Sequence, residues 1–167
     1  MSPQTSIRHA VVADAFDVSK LIASTSETCC FSEAAPCPDW YLNSIQTQAI
    51  ETLIASERMV FLLAMHDQAI AGVLAIEDKS SIKYFFVYPE QQKIGIGQLL
   101  WQFAKNRGAF GETLKVRSSL FAVPVFERLG FKSTEPPGCF NGLHFQSMVW
   151  PITPEPLTTL PPPTIVR

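Results

Sequence analysis

The chain has 167 residues, 13 Lys+Arg against 15 Asp+Glu, and a formal net charge of −2. That length suits one domain with at most a tail, and 47% hydrophobic against 17% charged residues excludes a wholly disordered chain. The longest apolar runs are 59–65 and 69–76. Both fall far short of the roughly 20 residues that span a bilayer, so no membrane role is expected.

The pattern along the chain alternates between strand and helix. Residues 7–11 predict a short strand, and Asp14 is placed to cap a helix whose apolar side is Phe16, Val18, Leu21 and Ile22. Residues 26–38 read as a loop. A second helix is expected over about 39–56, from the spacing of Leu42, Ile45, Ala49 and Leu53. Three strands follow at 59–65, 69–76 and 82–88, the first two joined by the short turn His66-Asp67-Gln68. Alternation along the third puts Tyr84 on the face of Ile82 and Phe86, in the core. Ile96, Leu99, Leu100, Phe103 and Ala104 form one helical stripe that ends near Gly108. A strand at 113–116, a helix at about 120–129 stopped by Gly130, and strands at 131–133 and 143–150 complete the series. The fold class expected is α/β, with a mixed sheet and helices on both sides.

Composition changes once. Six of the 13 prolines fall in 151–167, which reads as an extended Pro-rich C-terminal tail behind a domain at 1–150. The first residues, Met1-Ser-Pro-Gln-Thr-Ser, have no apolar core and no positive leader, so a cytoplasmic protein is expected. None of the four cysteines (Cys29, Cys30, Cys37, Cys139) lies in a C-x-x-C pair, and His9, His66 and His144 are scattered. Reduced thiols and no metal site are expected. Residues 1–76 balance to −5 and residues 77–135 to +3, with no run of like charge. Nucleic-acid binding therefore has no support.

The informative stretch runs from Ile82 through Phe85-Phe86-Val87-Tyr88-Pro89 to Gln92-Lys93-Ile94-Gly95-Ile96-Gly97-Gln98, a strand, a polar loop and the start of a helix. Glycines at such a junction let the backbone turn tightly and approach a ligand. A helix N-terminus adds unpaired N–H donors and about half a positive charge, which suits a pyrophosphate. The Walker loop is excluded because Gln98-Leu99 follows Gly97, and the dinucleotide fingerprint because Leu100 stands where its third glycine belongs.

Gln92-Lys-Ile-Gly95-Ile-Gly97 resembles the Q/R-x-x-G-x-G/A signature of the GNAT family of N-acetyltransferases. Ser119-Leu-Phe-Ala122-Val-Pro-Val-Phe126-Glu-Arg-Leu-Gly130-Phe131 resembles the family's later strand–helix block, and Ile7-Arg-x-Ala-x-x-x-Asp14 its first strand and helix. The resemblance covers about residues 6–150.

It implies a mostly antiparallel central sheet of about seven strands flanked by four helices, with strands 4 and 5 splayed around a slot. It implies acetyl-CoA as cofactor and a small-molecule or peptide amine as acceptor. On this reading Phe85, Phe86 and Val87 border the pantetheine arm, and the backbone of Gln92, Lys93, Ile94, Gly95, Ile96, Gly97 and Gln98 takes the pyrophosphate. The Phe85 N–H becomes the oxyanion donor. Ser119 touches the arm or caps the last helix. Glu77, with Asp78 beside it, is the candidate base acting through water. Phe126 stands where many members carry a Tyr acid, and it cannot donate a proton. That gap keeps a second expectation open, an acyl-CoA-binding sensor with no transfer chemistry. His144 is a further hydroxyl-free candidate for a base near the acceptor. Glu27, Glu33 and Asp39 with Phe31, Trp40 and Tyr41 suggest an acidic, aromatic acceptor side suited to a cationic amine. A homodimer is expected from the resemblance alone.

Overall fold

A computed structural model describes residues 4–29 and 36–151. In chain order it contains β1 (Thr5–His9), α1 (Ala15–Cys29), α2 (Asp39–Ser44), α3 (Thr47–Ala55), β2 (Met59–His66), β3 (Ala69–Glu77), β4 (Ser81–Val87), α4 (Ile96–Asn106), β5 (Leu114–Ser118), α5 (Val123–Leu129), β6 (Lys132–Ser133), β7 (Gly138–Phe140) and β8 (Leu143–Trp150). Short 3-10 turns stand at Val12–Asp14 and Pro89–Ile94.

The strands order as β1-β2-β3-β4-β5-β8-β6, with β7 paired to the outside of β8. All of the pairings are antiparallel except β4 with β5. β2 and β3 read as unbroken apolar runs because the sheet is covered on both faces. Leu62, Ala64, Leu74 and Ile76 pack toward α4 and α5. Phe61, Leu63, Val73 and Ala75 pack toward α1 and α3. Gly72 lets α4 come down on this sheet: a Cβ there would lie 3.1 Å from the Phe86 carbonyl and 3.2 Å from Leu100.

Several expected boundaries move. The helix expected over 39–56 is two helices, broken at Ile45-Gln46, where Gln46 is extended (ψ 157°). Ile45 is buried, and its carbonyl accepts the Ser19 hydroxyl at 2.6 Å, so the chain turns there to fill the α1–α3 layer. α1 runs on to Cys29, past the expected loop start. α5 begins at Val123, because 119–122 form a turn instead. β7 is an added strand. It closes a hairpin on β8 through Asn141-Gly142, both at positive φ (47° and 91°). Among the described residues there are therefore eight strands and five α-helices, where seven and four were expected.

Tyr84 is in the core as expected, but not on the face of Ile82. Between β3 and β4 the register passes from Ala75↔Tyr84 to Ile76↔Ile82, so Lys83 is an extra residue, a bulge. Ile82 packs on the α4 side, whereas Tyr84 and Phe86 pack on the α1 side. A bulge re-aims every residue beyond it. Here it turns Phe85 and Val87 toward α4.

Asp14 does not cap α1. Its carboxylate accepts the Val11 N–H at 2.8 Å and a two-bond contact from the Arg8 guanidinium at 2.8 and 2.9 Å, fixing the exit from β1. The Arg8 hydrogen bonds hold the Asp14 carboxyl below its usual range. The folded value lies below the unfolded one, so this contribution is present above about pH 4 and is lost as pH falls through the folded value. Asp14→Asn should cost about 1 kcal/mol at pH 7, or roughly 2–4 °C in Tm. Melting curves for the two proteins should converge as the pH is lowered toward 3.

Candidate active site

Strands β4 and β5 pair only at Ser81↔Lys115 and Ile82↔Val116. Beyond those residues they diverge, and a cavity of about 1290 Å³ opens between them. It is lined by Ile82 to Val87 on one arm and Lys115 to Ser118 on the other, with α5 and the α4 entry on one side of the sheet and α1, α2 and the β7–β8 hairpin on the other.

The backbone of β4 presents alternate groups to this opening. The Tyr88 N–H donates to Ala71 of β3 at 2.9 Å, so it faces away from the cavity. Because N–H groups alternate along a strand, those of Phe85 and Val87 face the other way, into it. The Val87 carbonyl agrees with this orientation, since it accepts the Gln92 side-chain amide at 2.9 Å from the cavity side.

The turn into α4 follows. Gly95 adopts the left-handed conformation (φ 84°, ψ 17°) as the residue before Ile96, and its carbonyl takes the Leu99 N–H at 3.0 Å. The N–H groups of Ile96, Gly97 and Gln98 precede any intrahelical carbonyl, and Gly95, Gly97 and Gln98 line the cavity. A Cβ on Gly95 would meet nothing within 4 Å, while one on Gly97 would stand 3.9 Å from Phe85 and Val87.

The cavity brings together Glu77, Phe85, Phe86, Val87, Gln92, Gly95, Gly97, Gln98, Ser119 and Phe126. Ile94 points outward, 53% exposed, and Ile96 is buried in the core, so each offers only its backbone. The Lys93 side chain lies outside the described set. Gln92 braces the loop against β4, which makes it a support for the turn. The Ser119 hydroxyl accepts the Ala122 N–H at 3.2 Å and caps the turn that leads to α5.

Phe126 is 6% exposed and packs edge-on against Phe85 (5.9 Å) and Phe131 (5.2 Å) as a wall. Glu77 closes the far end, with its carboxylate 3.4 Å from the Arg58 guanidinium. Asp78 is held more tightly, at 2.9 and 2.6 Å from Arg58, and so belongs to the surface turn. Burial, helped by the Glu77 charge, pushes the Tyr84 hydroxyl up to about 12. Tyr84 is therefore a neutral phenol at physiological pH.

On the α1 side, Trp40 and Phe140 meet edge-to-face at 5.5 Å, and the Trp40 indole N–H donates to the Asn141 carbonyl at 2.7 Å. These contacts join α2 to the β7–β8 turn beside the cavity. Phe140 was missed in the sequence because β7 was missed, although Asn-Gly between apolar residues is a strong hairpin signal. The expected acidic side is not part of the lining. Glu27 and Asp39 lie near Cys37 instead, where burial, helped by their charges, pushes its thiol up, and Glu33 and Phe31 lie outside the described residues. The charged side chains that line the cavity are Lys83, Lys115, Arg117 and Arg128 against Glu77 and Glu135, together with exposed His144. Among the described residues, no helix is long and apolar enough to cross a membrane.

A family model described as "Acetyltransferase (GNAT) domain" matches residues 25–152. No curated protein matches in sequence. Among solved structures, PaiA N-acetyltransferase from Thermoplasma acidophilum in complex with coenzyme A aligns with a TM-score of 0.73 at 13% identity, over 87% of this chain and 98% of that one. Aminoglycoside 6′-acetyltransferase type Ii aligns with a TM-score of 0.65 at 16% identity, over 90% and 99%. A ribosomal-protein-alanine N-acetyltransferase from Escherichia coli aligns with a TM-score of 0.60 at 16% identity, over 94% and 99%. At these identities the likeness is one of fold.

Proposed function

Because the chain belongs to the GNAT acetyltransferase family, we propose that it is an acetyl-CoA-dependent N-acetyltransferase acting on a primary amine of a small molecule or peptide. The observation that carries this reading is the divergence of β4 from β5 directly below the unpaired N–H groups of the α4 N-terminus. Acetyl-CoA supplies the activated acetyl group, as a thioester. The N–H groups of Ile96, Gly97 and Gln98, with the backbone of 92–95, hold its pyrophosphate. Phe86 and the exposed edge of Phe85 and Val87 guide the pantetheine arm, and Phe85 and Phe126 wall it.

The amine nitrogen attacks the thioester carbon, the C–S bond breaks, and the Phe85 N–H stabilises the charge gathering on the carbonyl oxygen. One such preorganised donor is worth about 3–4 kcal/mol. A lysine-like amine, with a pKa of about 10.4, is free base in roughly 1 molecule in 2,500 at pH 7, a deficit of about 4.6 kcal/mol. Glu77, at the closed end of the cavity, is the group on hand to accept that proton through water. Phe126 cannot protonate the departing thiolate. With a thiol pKa near 8.5, the thiolate leaves as the anion and takes its proton from solvent.

Residues 1–150 form the catalytic domain on this reading, with the Pro-rich stretch outside it. The free thiols of Cys37 and Cys139 suit a reducing, cytoplasmic setting. The missing hydroxyl at Phe126 favours one second reading, a CoA sensor without turnover. Thiol release from acetyl-CoA with a panel of amines, each acetylated product identified by mass, separates the two. Product with any amine supports the transferase, and none across the panel supports the sensor.

Gly97→Ala tests the turn. The added methyl makes ordinary contacts and alanine favours the helix by up to about 1 kcal/mol, so Tm should not fall. The affinity for acetyl-CoA should stay within about threefold, a difference below 1 kcal/mol, by calorimetry.

A further inference from the structure

On the α1 side of the sheet, three cations stand on the two arms of the cleft. Lys115 and Arg117 are two apart on β5 and so share a face. One residue beyond the last pair, Ile82↔Val116, Lys83 and Arg117 stand on the two diverging arms. The Lys83 ammonium lies 5.8 Å from the Tyr84 ring, and the Arg117 guanidinium 4.7 Å from the Phe145 ring. All three side chains line the cavity. Among the described residues none of them has a carboxylate within 4.0 Å, whereas Glu77 at the same end is already in contact with Arg58.

We propose that Lys83, Lys115 and Arg117 form an acceptor subsite for an anionic group, so that the acceptor is an amine that also carries a carboxylate or a phosphate. This rests on the acetyltransferase reading of the same cavity. The cations are too far from the α4 turn to serve the pyrophosphate. At about 3.3 Å per residue, Lys83 lies roughly 13 Å along the strand from Val87. It is only two residues, roughly 7 Å, from Phe85, within reach of a group attached to the reacting amine. Ile82 packs on the α4 side, so alternation from it puts Lys83 on this face. The aromatic rings of Tyr84 and Phe145 pack against the cations and keep them spread over the cavity floor.

The probes are matched pairs: α-amino acids against their amides, and aminoalkyl phosphates against the corresponding amino alcohols. Binding to the CoA-saturated protein is measured by calorimetry, and acetylation is followed in parallel. The charged member of at least one pair should bind about 10- to 100-fold more tightly, the range of one or two charge-assisted hydrogen bonds. The carboxylate and phosphate arms tell which anion it is. In Lys83→Met/Arg117→Met that ratio should fall to about 1, with acetyl-CoA affinity retained, because both side chains are exposed and far from the α4 turn. Equal affinity within every pair, or a ratio unchanged in the double variant, overturns the subsite. If acetyl-CoA binds and amines are acetylated without charge preference, the subsite fails and the transferase stands. If the charged probes bind through these residues and no amine is acetylated, the subsite stands and the transferase fails.

Discussion

Gly95→Glu should leave a folded protein with no measurable affinity for acetyl-CoA. The fold survives because a Cβ at this position meets nothing within 4 Å. The cost to the protein is the left-handed backbone at φ 84°, about 1–2 kcal/mol for a residue with a side chain. The cost to binding is larger. A carboxylate about 4 Å from a phosphate, at an effective dielectric near 20, repels it by about 4 kcal/mol, close to a thousandfold in Kd. It also satisfies the N–H groups that the phosphate would use. Gly95→Ala separates the two terms, since it carries the backbone cost without the charge. Its Tm should match that of the Glu variant while calorimetry still detects acetyl-CoA. Equal affinities for Gly95→Glu and the parent chain would remove the phosphate from this turn.

The second large effect is on stability. Trp101→Ala should cost about 3–5 kcal/mol, a drop in Tm of roughly 6–20 °C. Trp101 is 2% exposed and stacks on Phe110 at 5.2 Å, with Phe131 and Trp150 each at 5.5 Å. Those partners come from the loop after α4, the segment after α5 and the end of β8, so the one ring ties α4 to the β5–β8 half of the sheet. Strand pairing between that half and the β1–β4 half is limited, among the described residues, to two residue pairs of β4 and β5. The cleft is thus kept open by packing behind it, and loss of this ring should loosen both the α4 turn and the arm on β5. A melting curve with and without acetyl-CoA reads both effects. A Tm within about 2 °C of the parent would contradict the role of this ring in tying α4 to the β5–β8 half of the sheet.

The parts of this protein legible in the sequence are those set by local chemistry. The unbroken apolar runs of β2 and β3, the stripe of α4 and the glycine pair at Gly95 and Gly97 need no knowledge of the rest of the chain. The break at Ile45 was not legible, because a buried isoleucine and the Ser19 hydroxyl, brought from another helix, decide it. The bulge at Lys83 was not legible either. A period-two pattern has no mark for an inserted residue, and the misplaced face of Tyr84 followed from it. The lysine and arginine of β5 carry no mark of a site in the sequence, since alternating charge on a strand ordinarily means water. Only the divergence of β4 makes that face the wall of a cavity. β7 is different, because its Asn141-Gly142 turn was in plain view and its short strand was masked by the two prolines before it.

The most direct test of the account is a crystal structure of the protein with coenzyme A bound. The pantetheine should run between β4 and β5, paired with the backbone of Phe85 and Val87, and the pyrophosphate should rest on the N–H groups of Ile96, Gly97 and Gln98. Coenzyme A bound outside the cleft, or a cleft left empty at saturating concentration, would contradict the central claim that the separation of these two strands is the acetyl-donor site.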